Sequence, residues 1–180
     1  AGPAIIVIGI ASIASGIAYT GGPFPLGYHG LGDVFVLVFF GFVAVCGTVF
    51  AQTGVVPLEA WIASVPVGAL ATNILVVNNV RDRHTDVRAG KRTLAVRFGR
   101  RACEVEAALL FVAAFAAPIA LAWVRSSAMP LLALGAAPPA MAAFRELVAR
   151  DGPALDATLG KTARVLLLFG VLLTLGVAWS

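Results

Sequence analysis

The chain has 180 residues, of which 60% are hydrophobic and 12% are charged, and its mean hydropathy is +0.96. Soluble domains are only about 45 to 50% apolar, so this composition excludes an ordinary soluble protein. A membrane-spanning helix takes about 20 mainly apolar residues, so six of them would use roughly 120 residues and leave short connections. The net charge of +4 does not indicate nucleic-acid binding, because the basic residues do not follow an amphipathic face interleaved with aromatics.

Six apolar runs follow one another along the chain, and each has the length of a membrane-spanning helix. They extend over residues 4–19, 34–51, 58–80, 103–124, 129–148 and 163–179. We therefore predict an all-α, polytopic transmembrane bundle of six helices. The fifth run contains Pro130, Pro138 and Pro139. Because proline removes a backbone donor, we expect this helix to be kinked or broken.

Basic residues concentrate in one connection between the apolar runs. Eight of the 13 Lys and Arg residues lie between residues 81 and 101, and the positive-inside rule places such a segment in the cytoplasm. Alternation then puts the connections 20–33 and 149–162 on the same side, and Arg125 is the one basic residue in the opposite connections. We therefore predict a multi-pass protein of the inner (cytoplasmic) membrane whose polar site faces the cytoplasm.

The segment VVNNVRDRHTDVRAGKRTLAVRFG, at the end of the third apolar run, carries the residues that point to chemistry. Asn78, Asp82 and Asp86 are spaced i, i+4 and i+8, so on a continuing helix they share one face at intervals of about 6 Å. Two carboxylates and an amide oxygen suit Mg²⁺, which completes its coordination with waters and substrate phosphates. Lys91 and Arg92 follow and can neutralise a diphosphate. The segment therefore predicts a magnesium and diphosphate site.

Some of these polar residues also have simpler explanations. Basic residues at a helix end often anchor the helix in the cytoplasm, which is sufficient for those from 97 to 101. An anchor has no need of acids at helical spacing, however. His84 lies off the acidic face, so we expect it to be exposed to solvent. Tyr28 and His29 share the predicted cytoplasmic side with the acidic segment and either line a cleft or pack the loop.

The string NNVRDRHTDVRAGKRTLAVRFG resembles the second aspartate-rich motif of the UbiA superfamily of intramembrane prenyltransferases, in its 1,4-dihydroxy-2-naphthoate branch. YTGGPFPLGYHGLGDVFVLVFFG resembles the loop and following helix of that branch, and TARVLLLFGVLLTLG resembles its last helix. The resemblance covers essentially all 180 residues. A bare D-x-x-x-D pattern is weak, but the long string together with the GGPFPLGYHGLGD loop is specific.

The resemblance implies a bundle of nine transmembrane helices around a central cavity, in which the six predicted helices would be helices four to nine. The first aspartate-rich motif of the family, an N-x-x-x-D-x-x-x-D pattern near the second helix, has no counterpart in this sequence. The family holds the diphosphate and its magnesium ions between both motifs. We therefore expect residues 1–180 to form the carboxyl-terminal two-thirds of the domain and to be inactive as an isolated fragment.

The resemblance also implies an activity, in which a polyprenyl group passes from polyprenyl diphosphate to 1,4-dihydroxy-2-naphthoate. The ring would lose its carboxyl group as CO₂ and give demethylmenaquinone. Mg²⁺ would be held by Asn78, Asp82 and Asp86, and the catalytic residues would be Asp82, Asp86 and Lys91. The lipid bilayer would surround the apolar helices, and no nucleic acid would be a partner. The predicted substrate-binding residues are Asn78, Arg81, Lys91, Arg92, Tyr28 and His29.

Three alternatives remain open at this point. The same kind of enzyme could use another aromatic acceptor, such as 4-hydroxybenzoate, homogentisate or a porphyrin. A transporter or channel would carry charges at the middle of its helices, whereas the charges of this chain cluster at one membrane face. A non-catalytic fragment or membrane scaffold is the third alternative, because the first aspartate-rich motif is missing.

Overall fold

A computed structural model describes residues 2–21 and 25–180, and these form an all-α bundle. Six of the described helices are long and apolar enough to cross a membrane. In chain order they are α1 Gly2–Thr20, α2 Gly32–Thr53, α3 Leu58–Arg88, α4 Leu94–Arg125, α5 Met129–Ala149 and α6 Gly152–Ala178. The prediction of a polytopic six-helix bundle is confirmed.

Several helices are longer than the apolar runs that predicted them. Helix α3 continues to Arg88 and α4 begins at Leu94, so the predicted connection 81–101 shrinks to residues 89–93. Helix α6 begins with a 3₁₀ turn at Gly152, well before its apolar run. Hydropathy marks only the part of a helix that meets the lipid, whereas the backbone hydrogen bonds continue through charged residues at its polar end.

Two of the helices are irregular. Helix α5 begins as a 3₁₀ helix over Met129–Ala136 and becomes an α-helix over Ala137–Ala149, so the predicted break is confirmed. Pro138 and Pro139 lie in the first turn of the α-helical part, where their missing N–H groups have no intrahelical partner to lose. Helix α4 is kinked at Gly99, whose φ of 77° lies in the left-handed region that glycine tolerates.

Helix α3 is the central helix of the bundle. It packs against α2, α4 and α6 and is buried along much of its length, whereas α1 buries none of its residues. The main core includes the fully buried Leu70, Leu121 and Phe169, and the ring of Phe115 meets that of Phe169 edge to face with centroids 5.4 Å apart. A second buried cluster around Val80 joins the polar end of α3 to α4 and α6.

Two glycines let α2 and α3 cross at close range. A Cβ atom on Gly68 would lie 2.6 Å from the carbonyl oxygen of Leu37, and one on Gly41 would lie 2.8 Å from that of Ser64. Small residues at membrane helix interfaces permit such close backbone approach. The crossing coincides with a π-helical stretch of α2, Leu37–Val43. It fixes the middle of α2 against the middle of α3.

We expect Gly41→Ala to lower the free energy of unfolding by about 1 to 3 kcal/mol, as overpacking of a tight interface does. Gly47→Ala is the matched control, because a Cβ atom at that position of α2 meets nothing within 4 Å. The control should be neutral or slightly stabilising, since alanine favours a helix over glycine. Thermal unfolding of both proteins in detergent measures the difference. Equal stability of the two variants would contradict the close crossing.

Candidate functional site

A polar cleft lies where α3, the connection 89–93 and the segment before α2 meet. A 3₁₀ turn, Leu26–His29, precedes α2. The backbone N–H of Arg92 donates to the carbonyl oxygen of Tyr28 at 2.7 Å, and the Arg97 guanidinium donates to that of His29 at 2.8 Å. These bonds tie the turn to the start of α4. The cleft has a volume of about 320 Å³, and its polar wall is formed by Tyr28, Asn78, Asn79, Asp86, Lys91 and Thr93.

The three predicted metal ligands lie on one uninterrupted helix. Helix α3 continues through Asn78, Asp82 and Asp86 to Arg88, as their shared face requires. Asn78 and Asp86 line the cleft, and Asp86 is buried. The Asp82 side chain is 34% exposed and meets the side chain of Arg81 instead. The acidic face therefore extends from the inside of the cleft to its rim.

Arg81 binds the oxygens of two of the predicted ligands. Its Nη2 donates to Asn78 Oδ1 at 2.8 Å and to Asp82 Oδ2 at 2.7 Å, and its Nε donates to Asp82 Oδ1 at 2.8 Å. This is the bidentate geometry in which arginine binds a carboxylate most strongly. Its Nη1 also reaches Asp156 Oδ1 at 3.1 Å. The positive charge of the Arg81 guanidinium therefore lies next to the acidic face.

Lys91 neutralises the third predicted ligand. Its Nζ lies 3.2 Å from Asp86 Oδ1 and 5.3 Å from the centroid of the Tyr28 ring. The backbone N–H of Lys91 donates to the Asp86 carbonyl oxygen at 2.9 Å, and Gly90 closes this turn with a φ of 73°. The ammonium group therefore lies in the cleft wall between a carboxylate and the face of an aromatic ring. This position suits an anion that enters the cleft.

The other residues predicted for the site are placed differently. The Arg92 side chain is exposed, and its backbone makes the contact with the turn before α2. Nδ1 of His29 lies 2.8 Å from the Pro25 carbonyl oxygen, so this ring helps to hold its own turn. Neither is among the described residues that line the cleft. His84 is exposed, as predicted.

The basic residues at the start of α4 stabilise the fold in addition to any anchoring role. Arg100 donates to the carbonyl oxygens of Leu147 and Val148 at 2.6 and 2.7 Å, which caps the last turn of α5. Its Nε donates to Glu104 Oε1 at 2.9 Å. The helix ends around the cleft are therefore joined by charged side chains as well as by the buried core.

Sequence reasoning missed three buried polar residues beside the predicted site. Asn79 Nδ2 lies 3.4 Å from Asp33 Oδ1, and both residues are buried. Thr93 is also buried, and its Oγ1 has no hydrogen-bond partner among the described residues. An acid at the start of an apolar run is a signal that could have identified Asp33. Asn79 and Thr93 gave no such signal, because their role depends on which way their side chains point.

The donor set of the acidic face fits Mg²⁺. Within residues 2–21 and 25–180, no group of three or more His, Cys, Asp or Glu side chains could hold a metal alone. Mg²⁺ typically needs only one or two carboxylates, with waters and substrate phosphates completing its coordination. Asn78, Asp82 and Asp86 offer such a partial set of oxygens, which already holds the cationic groups of Arg81 and Lys91. Those cations would have to release the oxygens to a metal.

Comparison with known proteins gives extensive similarity. The chain matches the UbiA prenyltransferase family over residues 1–160. It is 38% identical to the 1,4-dihydroxy-2-naphthoate octaprenyltransferase of Mycobacterium leprae over 172 residues, which are 94% of this chain and 57% of that protein. It is 34% identical to the protein of the same name from Escherichia coli over 184 aligned residues, which are 97% of this chain and 58% of that protein.

A shorter alignment is more similar. The protein of the same name from Mycobacterium tuberculosis is 48% identical over 97 residues, which are 54% of this chain and 33% of that protein. The chain spans about half the length of the curated relatives it matches. No solved structure matches it. The family match includes the acidic face of α3, the turn before α2 and the connection 89–93, and this chain therefore belongs to the UbiA prenyltransferase family.

Proposed function

We propose that this chain is part of an enzyme that transfers a polyprenyl group from polyprenyl diphosphate to 1,4-dihydroxy-2-naphthoate. The observation that carries the proposal is the cleft that gathers the Asp86 carboxylate, the Asn78 amide and the Lys91 ammonium at one end of an apolar bundle. Such a cleft suits a ligand with a charged head and a long apolar tail. The similarity to 1,4-dihydroxy-2-naphthoate octaprenyltransferases supports dihydroxynaphthoate as the acceptor.

The diphosphate would bind at the side of the cleft where Lys91 lies, next to Arg81, which donates to the cleft residue Asn78. Lys91 offers a compact charge with three donors. Arg81 would turn its bidentate donors from Asp82 to a phosphate while keeping its contact with the carboxylate of Asp156. Mg²⁺ bound by the acidic face of α3 would supply further positive charge to neutralise the departing diphosphate.

The reaction breaks the allylic carbon–oxygen bond of the polyprenyl diphosphate and forms a carbon–carbon bond to the ring. The electron pair of the broken bond leaves with the diphosphate, where Lys91 and Arg81 stabilise the developing charge. The electron-rich ring attacks the allylic carbocation. Loss of the ring carboxylate as CO₂ returns its electron pair to the ring and gives the hydroquinone form of demethylmenaquinone.

The polyprenyl tail needs an apolar surface that begins at the cleft. A groove of about 600 Å³ runs between α1 and α2, with Phe35, Phe39 and Val43 in its wall. Tyr19 borders both this groove and the polar cleft. A tail in the groove would continue directly from a diphosphate in the cleft. The apolar surroundings would also limit capture of the carbocation by water.

The site would lie at the cytoplasmic face of the inner membrane. The basic connection 89–93, the end of α3 and the start of α4 lie at the same end of the bundle as the cleft. The positive-inside rule favours the cytoplasmic side for that end. A channel or transporter fits less well, because the charged residues of the cleft lie at the helix ends and not in the middle of the spans.

We predict that Asp82→Ala and Asp86→Ala each lower turnover by at least about 100-fold in the protein expressed from its complete gene, because each removes charge stabilisation of the leaving group. Labelled prenyl diphosphate and dihydroxynaphthoate provide the assay. Activity should disappear with EDTA and return with Mg²⁺.

Glu59→Ala, at the opposite end of α3, is the control. Near-normal turnover of both aspartate variants would refute the site, and use of 4-hydroxybenzoate instead would refute the acceptor.

A second prediction concerns Arg81 as a competitor for the metal. Without diphosphate, Arg81→Gln should raise the affinity for Mn²⁺, a paramagnetic substitute for Mg²⁺, by about threefold or more, because a nearby positive charge is removed. Asp156→Asn should lower it, because the change removes a negative charge that partly offsets the positive charge of Arg81. Electron paramagnetic resonance measures free Mn²⁺ in each protein. Unchanged affinity in both variants would show that the guanidinium does not compete.

The orientation is tested by labelling introduced cysteines. Ala89→Cys should react with a membrane-impermeant maleimide only from the cytoplasmic side, and Ala128→Cys only from the opposite side. Both positions are exposed. The native Cys46 and Cys103 are buried and provide the unlabelled background. Labelling of Ala89→Cys from outside intact cells would reverse the proposed orientation.

A further inference from the structure

A smaller polar cavity lies beside the cleft, and the proposed diphosphate site makes no use of it. Its volume is about 10 Å³, close to the space that one water molecule or one hydroxyl group occupies. The polar residues that line it are Tyr19, Asp33, Asn79 and Thr93. Tyr19, Asn79 and Thr93 also line the cleft. A ligand in the cleft is therefore adjacent to this cavity.

Asp33 has hydrogen-bonding capacity that the fold leaves largely unused. The residue is only 4% exposed, and its carboxyl group accepts the long 3.4 Å bond from Asn79 Nδ2 and a hydrogen bond from its own backbone N–H. No Lys or Arg of the described part of the chain forms an ion pair with it. A buried carboxyl group at a membrane helix is costly without a partner, and such groups usually mark a functional site. Asp33 is therefore available to accept a hydrogen bond from a ligand.

Thr93 is an independent observation that points to the same cavity. It occupies the N-cap position of α4, where a threonine hydroxyl normally accepts a hydrogen bond from the first turn. Here the side chain makes no capping bond. Its Oγ1 is buried without a partner among the described residues, although Thr93 borders both the cavity and the cleft. A buried hydroxyl in this state costs stability, and a ligand with a complementary group would satisfy it.

We propose that Asp33 and Thr93 bind one phenolic hydroxyl group of the aromatic acceptor. A phenolic hydroxyl both donates and accepts, so it would donate to the Asp33 carboxyl group and accept from Thr93 Oγ1. The ring would then lie in the cleft, alongside the edge at which Lys91 receives the diphosphate. Donation to a carboxylate also increases electron density in the ring, which favours its attack on the allylic cation. The inference rests on the proposed function and assigns the acceptor end of that site.

The experiment combines variants with acceptors that lack one donor. The protein from the complete gene is titrated by calorimetry with 1,4-dihydroxy-2-naphthoate and with its 1-methoxy and 4-methoxy ethers. Asp33→Ala should weaken binding of the parent acceptor by about tenfold or more, with the KM for prenyl diphosphate unchanged. In the wild type, one ether should bind about tenfold more weakly than the parent acceptor. In Asp33→Ala the same ether and the parent should bind equally well, because the hydrogen bond that the ether lacks is already lost. Glu59→Gln, a distant acid-to-amide change, should leave every constant unchanged.

Two further variants separate a binding role from a structural one. Thr93→Val keeps the shape of threonine without its hydroxyl, so it should weaken acceptor binding by about threefold or more and leave thermal stability undiminished. If Asp33→Ala does not fold, Thr93→Val still tests whether the cavity binds the acceptor. Asp33→Asn, which retains an acceptor oxygen, should recover part of the affinity.

The proposal is overturned in either of two ways. The ethers could suffer equal penalties in the wild type and in Asp33→Ala, or Thr93→Val could leave acceptor affinity unchanged, which would mean that the cavity holds water alone. If the wild-type protein prenylates 4-hydroxybenzoate but not dihydroxynaphthoate, the proposed function is refuted instead. The same comparison with 4-methoxybenzoate would then decide the hydroxyl site.

Discussion

The architecture of the site depends on neutralising carboxylates at the end of a membrane helix. Asp82 and Asp86 lie on α3 at its polar end, where isolated negative charges would be expensive to hold. Arg81 and Lys91 provide the opposite charges from within and just beyond the same helix. Those pairs are adjustable, since arginine and lysine can turn toward a phosphate without any movement of the backbone. The same contacts that stabilise the carboxylates would therefore prepare the cleft for the proposed anionic ligand.

The surrounding fold keeps this pairing in a fixed place. Helix α3 is held from one side by the glycine crossing with α2 and from the other by the buried cluster around Val80. The turn before α2 is joined to the connection 89–93 through the backbone bond from Arg92 to Tyr28. These restraints act on backbone atoms and apolar side chains, so they would persist if the charged side chains turned to the proposed ligand. The interactions that fix the backbone are thus different from those that pair the charges.

The amino-acid sequence predicted the six spans, the broken fifth helix and the single face of Asn78, Asp82 and Asp86, because each follows from local spacing and hydropathy. It did not predict the length of α3 and α4, since helices continue through charged residues that hydropathy assigns to loops. It missed Asp33 and Thr93 for a different reason. The partner of Asp33 lies on another helix, and the unused hydroxyl of Thr93 depends on a side-chain orientation that only packing determines.

The 3₁₀ start of α5 has a consequence for hydrophobic matching. A 3₁₀ helix rises about 2.0 Å per residue against 1.5 Å for an α-helix, so Met129–Ala136 and Ala137–Ala149 together extend over about 35 Å. The same residues as one α-helix would reach about 32 Å. The extra length allows α5 to cross a hydrocarbon layer of about 30 Å at a larger tilt than one α-helix of the same residues. Glu146 near its end can then reach polar surroundings, where Lys161 and Thr158 bind it, without local thinning of the bilayer.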